Sequence, residues 1–153
     1  MSCASAPAEP SPPVPSPADA AKALAEKFLA ACKAGDDKAS MELVAWPFWV
    51  DRHLLDEAKR SEWQKDWDEF SGEIGKEKVA RVVPFALPAE TALGNRARET
   101  YGALLQRAGK DAVGVDVFFE GKDRGIGFVC GRTAKGWKIF GIDDNGIEAI
   151  IKD

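Results

Sequence analysis

This chain of 153 residues has one histidine, one tyrosine and three cysteines, and no apolar run near the roughly 18 to 20 residues that a bilayer crossing needs. The cysteines, Cys3, Cys32 and Cys130, match no metal-binding spacing. No charge of one sign dominates: 25 acidic against 21 basic residues leave a formal charge of -4, which provides no electrostatic footprint for a phosphate backbone or an anionic membrane. Nucleic acid is therefore not an expected partner. No cofactor or catalytic signature stands out. Gly125-Ile126-Gly127 resembles a phosphate loop only superficially, because it opens a strand rather than a helix and has no helix dipole to offer an anion.

What is present is a strongly patterned final third. Val113, Val115, Val117 and Phe119 alternate, turn through Gly121-Lys122-Asp123-Arg124, resume as Ile126, Phe128 and Cys130, and end in Gly136-Trp137-Lys138-Ile139-Phe140-Gly141-Ile142. A period of two makes each run a strand with one buried face, and the short polar connections make an antiparallel meander. Ahead of it, Leu24, Phe28 and Cys32 recur every four residues, with Ala21, Ala25 and Leu29 beside them. This is one apolar helical stripe, opened by Ser16-Pro17-Ala18-Asp19 and closed at Gly35. A short helix or turn follows from Asp36, then an aromatic strand Trp46-Pro47-Phe48-Trp49-Val50 with Pro47 at its start or on an edge. Ser61 is a candidate cap for a helix that ends before Gly72, with Trp63, Trp67 and Phe70 on one face. Lys78 to Phe85 reads as a strand, and Asn95 to Ala108 as a helix carrying Tyr101, Leu104 and Leu105. The expected fold class is α+β, a curved antiparallel sheet packed against N-terminal helices. A chain of this length buries roughly two thirds of its unfolded surface without disulfides.

Residues 1–17 are Pro, Ala and Ser with a single charge at Glu9, an extended tether without a core, so the domain is expected over 18–153. Cys3-Ala4-Ser5-Ala6-Pro7 resembles the head of a mature bacterial lipoprotein: a lipidated cysteine, a flexible linker, then a domain. In that family a signal peptide and an apolar lipobox precede the cysteine. If Met1-Ser2 replaces such a signal the match is complete; if it is the natural start, Cys3 is an ordinary exposed thiol. Cys32 on the first helix and Cys130 on a strand are expected as buried free thiols, with a disulfide as the alternative in an exported chain.

The order helix, short helix, aromatic strand, helix, then long strands closing on Gly136-Trp137-Lys138-Ile139-Phe140-Gly141-Ile142 resembles the nuclear transport factor 2-like superfamily, which includes ketosteroid isomerases and SnoaL-like polyketide cyclases. The resemblance covers roughly residues 18–142, and the helix over 95–108 departs from the simplest family pattern. It implies a sheet wrapped with helices into a cone, open at one end on a pocket. Enzymes on that fold use an Asp, Tyr or His inside the cone, and many relatives are binding or assembly domains without catalysis.

Chemistry concentrates around Trp49-Val50-Asp51-Arg52-His53. Strand alternation would place Asp51 and His53 on one face as an acid/base pair, with Trp46, Trp49 and Trp67 as an apolar wall that binds a flat ligand. The alternative is solvated polar groups over a tryptophan-filled core. Burial of Val113, Val115, Val117 and Phe119 points Asp116 outward, and Tyr101 belongs to the core. Asp143-Asp144-Asn145 clusters oxygen ligands but lacks the further acid of a calcium loop, so it reads as a polar strand end and no metal site is expected.

The reading that follows is a non-enzymatic binding or assembly domain on a lipid-anchored tether in a bacterial envelope. Its partner would be a small apolar ligand or a protein, and its only membrane contact the anchor. The rival readings are a small-molecule isomerase or dehydratase using Asp51 and His53, and a cytosolic domain that forms homodimers through its sheet face.

Overall fold

The computed structural model describes residues 14–51, 53–123 and 125–147. Cys3 and nearly all of the expected tether lie outside the described residues.

Helix α1 (Pro17–Ala34) begins where the Ser16 hydroxyl oxygen accepts the Asp19 N–H at 3.2 Å, with Pro17 in the first turn, a place where its missing donor costs nothing. It therefore takes in one residue of the expected tether. It stops at Gly35, whose φ of 70° closes the last turn. The expected stripe of Leu24, Phe28 and Cys32 is buried. Helix α2 (Asp37–Glu42) is capped by the Asp36 carboxylate on the Ala39 N–H at 3.0 Å.

Strand β1 (Val44–Val50) turns at Asp51 into the short β2 (His53–Leu55). Pro47 is neither at the start of β1 nor on an edge strand as expected. It sits where the ladder to β6 is interrupted, between Val44 and Trp49, and before the ladder to β2 begins at Phe48. No ladder bond is lost to its missing N–H there.

Helix α3 (Gln64–Lys76) starts later than Ser61 and runs past Gly72. Its buried side, Trp67, Ser71 and Ile74, continues beyond that glycine because α3 packs along α1. At Gly75 the two helices come so close that a Cβ would overlap the Cys32 carbonyl. Gly75 is a packing residue, and Gly72 does not end the helix.

Strand β3 (Val79–Ala86), helix α4 (Asn95–Ala108) and the strands β4 (Val113–Phe119), β5 (Gly125–Thr133) and β6 (Gly136–Asp143) follow. The curved, unclosed sheet has the order β2-β1-β6-β5-β4-β3. The meander is antiparallel as expected, but β1 runs parallel to β6, so the sheet is mixed. Side-chain alternation carries no information on relative strand direction, and the long path from β1 to β6 permits either.

Helices α1 and α3 cover one face, over Phe48, Val115, Val117, Phe128, Cys130 and Ile139. Helix α4 covers the other, over Val129 and Phe140, with Leu93 and Ile147. Coverage on both faces overturns the outward placement of Asp116. That residue is buried, and its Oδ1 accepts the Ile147 N–H at 2.9 Å. Gly127, its partner across β5, makes the room: a Cβ there would lie 2.5 Å from the Ile147 nitrogen and 2.8 Å from the Asp116 Oδ1. The glycine of the would-be phosphate loop thus serves a close approach of backbone.

Cys32 and Cys130 are both free and lie in the same core beneath α1. Burial, with the nearby Asp37 charge adding to it, pushes the Cys32 thiol up to about 12, and burial alone pushes Cys130 up as well. Neither is a thiolate at neutral pH.

Candidate functional site

A cavity of about 480 Å³ opens between the β1–β2 turn and α3, lined by Val50, Asp51, His53, Leu55, Trp63, Asp66, Trp67 and Phe70. Its walls are apolar and its polar groups are few. Leu55 and Trp67 are buried, Val50, Trp63 and Phe70 are half-buried, and Asp51, His53 and Asp66 are exposed at the rim.

Trp67 is the fixed part of the floor. At 3% exposure it packs edge-on against Phe28 and Phe48, with centroids 6.1 and 5.7 Å away, and tilted against Phe70 at 5.7 Å. Its indole N–H donates to the Ser40 Oγ at 2.9 Å. The Ser40 hydroxyl in turn donates to the Asp37 carbonyl at 2.9 Å, and Ser71 donates to the Asp37 Oδ1 at 2.7 Å. A ring fixed by three aromatic neighbours and a hydrogen bond loses little entropy when a ligand settles on it.

Asp51 is held by the end of β6. Its N–H donates to the Ile142 carbonyl at 3.0 Å, and its Oδ1 accepts the Asp144 N–H at 3.0 Å. The residue takes a φ of 46°, a left-handed conformation that Asp tolerates better than most side chains. That turn breaks the alternation assumed for Trp49, Asp51 and His53. Asp51 and His53 still reach the same cavity, from opposite ends of a hairpin turn whose register pairs Val50 with His53. Burial raises the Asp51 carboxyl above the ordinary carboxylate range; the Asp144 N–H opposes this, and the charges of Asp144 and Asp143 add to it.

Of the expected tryptophan wall, only Trp67 lines the cavity. Trp46 and Trp49 are separated by the strand itself: Trp46 packs with Phe48 on the α1/α3 side, and Trp49 joins the cluster under α4. Trp46 lines a different groove, with Met41, Val44, Arg60 and Lys138, and the Arg60 guanidinium lies 5.6 Å from its ring centroid. Three residues of separation cannot place both indoles on one face of a strand.

The expectation of a polar strand end at Asp143-Asp144-Asn145 missed a buried link. Asp143 is 1% exposed; its Oδ2 accepts the Tyr101 hydroxyl at 2.6 Å and its Oδ1 the Asn145 N–H at 2.9 Å. Tyr101 is a core residue as expected, and its hydroxyl ties α4 to the end of β6. Carboxylate oxygens of Asp51, Asp143 and Asp144 lie within 4.8 Å of one another. Trp63 and Asp66, which also line the cavity, carried only the signal of sharing a helix with Trp67: Trp63 four residues before it, Asp66 one.

No protein-family model matches this chain, and no curated protein matches it.

Proposed function

We propose that this chain is a non-enzymatic binding domain whose ligand is a small, largely apolar molecule held between the β1–β2 turn and α3. The observation that carries the reading is the cavity of about 480 Å³ with Val50, Leu55, Trp63, Trp67 and Phe70 as its walls and, among the described residues, Asp51, His53 and Asp66 as its charged or titratable groups. Small-molecule sites span roughly 300 to 1,000 Å³ and are mostly apolar, with a few placed polar groups that set orientation. A curved sheet wrapped with helices and open on a pocket is also what the nuclear transport factor 2-like resemblance implies. On the same reading, Cys3 carries a lipid that anchors the domain in a bacterial envelope, supported by the Cys-Ala-Ser-Ala-Pro head and the Pro/Ala/Ser tether.

The neutral apolar dye N-phenyl-1-naphthylamine tests the cavity. Its fluorescence should rise on addition of the folded chain, and Val50→Phe, which fills the opening, should abolish the rise while the thermal unfolding transition stays cooperative. An enhancement unaffected by Val50→Phe refutes the site.

A second reading, a proton-transfer enzyme, is favoured by one observation: Asp51, whose carboxyl is raised by partial burial, shares the cavity with His53. It requires that Asp51→Asn abolish turnover of a bound carbonyl compound without weakening its binding.

A further inference from the structure

We infer that the ligand of this cavity is a small organic cation, an amine or quaternary ammonium carried on an aromatic or branched apolar body. The inference rests on the binding-domain reading above and adds the charge of the ligand. Among the described residues the lining contributes two carboxylates, Asp51 and Asp66, one imidazole, and neither lysine nor arginine. Among the described residues no basic side chain pairs with Asp51, Asp66 or Asp144. The end of the cavity at Asp51 is made more negative by Asp143 and Asp144, whose carboxylate oxygens stand within 4.8 Å of its own. Aromatic side chains of Trp63, Trp67 and Phe70 complete the lining, and the π-face of such a ring is itself an attractive surface for a cation.

The three ligand charges fare differently in such a site. An anion would sit against carboxylates, with no cationic side chain among the described lining residues to offset them. A neutral apolar molecule would fill the walls but strip water from Asp51 and Asp66 without replacing its hydrogen bonds. A cation replaces that water with a charge-assisted contact at the rim while its apolar body covers the indoles.

Three probes of one shape separate these outcomes on the full chain: phenethylammonium, 2-phenylethanol and phenylacetate, titrated while the Trp63 and Trp67 indole N–H resonances are followed by NMR. The expected order is amine, then alcohol, then carboxylate. The amine should lead the alcohol by about tenfold, the scale of one screened charge contact near a protein surface, and the lead should shrink with added salt. The double variant Asp51→Asn, Asp66→Asn should erase the lead and leave alcohol binding in place. If the alcohol or the carboxylate binds as well as the amine, or the double variant keeps the preference, the cation inference is overturned and the binding-domain reading stands. If no probe perturbs either indole at millimolar concentration, both fail.

Discussion

At the residue scale the molecule turns on side chains that serve the core and the cavity together. Phe28 touches Trp67 at 6.1 Å and Phe128 at 5.6 Å, so it supports the cavity floor from below while joining α1 to the sheet. Phe28→Ala should cost about 3 to 5 kcal/mol in urea unfolding, the range for an aromatic ring removed from a core that cannot collapse around the gap. A loss below about 1 kcal/mol would contradict its burial. Asp51 makes a pH-dependent prediction. Its carboxyl is raised in the folded chain, so the charged form is penalised by folding. Its charge therefore subtracts from stability above the raised value, and the loss fades as pH falls toward the unfolded-chain value of about 3.9. Asp51→Asn keeps an acceptor for the Asp144 N–H and suits a φ of 46°. The variant should melt higher than the parent at neutral pH, and the gap should narrow as the pH is lowered toward about 4. A gap that does not change with pH would show that folding leaves this carboxyl unperturbed.

At the element scale, α3 is the connector between the helical layer and the cavity, and its two glycines have opposite consequences. Nothing lies within 4 Å of a Cβ built on Gly72, whereas one on Gly75 would overlap the Cys32 carbonyl of α1. Helix propensity alone favours alanine over glycine by about 1 kcal/mol at either place. Gly72→Ala should therefore gain up to about 1 kcal/mol. Gly75→Ala should lose about 1 to 3 kcal/mol, because backbone cannot move aside as a side chain can. Chemical denaturation of the pair reads the difference directly. Equal effects would mean that α1 and α3 are not in close contact at Gly75.

At the scale of the whole molecule, the sheet is curved, unclosed and covered by helices on both faces. The cavity lies at the β2–β1 edge of that sheet, between the β1–β2 turn and α3. Chain beyond Ser16 in the N-terminal direction has a composition suited to holding such a domain at a distance from a surface. A lipid on Cys3 would give membrane attachment without a spanning segment, since several acyl chains anchor stably where one does not. Mass measurement of the N-terminus of native protein should then find Cys3 acylated at the head of the chain, with the protein in the membrane fraction. An unmodified Met1, or a wholly soluble pool, ends the anchor proposal.

Periodicity was enough to establish the α+β class, the stripe on α1, the helix α4 and the three-stranded meander, because each is a local repeat written in side-chain direction. It was not enough for anything that depends on which two distant segments meet. The parallel pairing of β1 with β6 and the second covered face that buries Asp116 are tertiary facts, and so is the α1 contact at Gly75 that carries α3 past Gly72. The candidate site divides the same way. Asp51, His53 and Trp67 were legible as an unusual concentration of titratable and aromatic groups. The turn at Asp51, however, undid the alternation used to orient them, and strand geometry sent Trp46 and Trp49 to opposite faces. A local pattern fixes the direction of a side chain relative to its own backbone; only packing decides what lies in that direction.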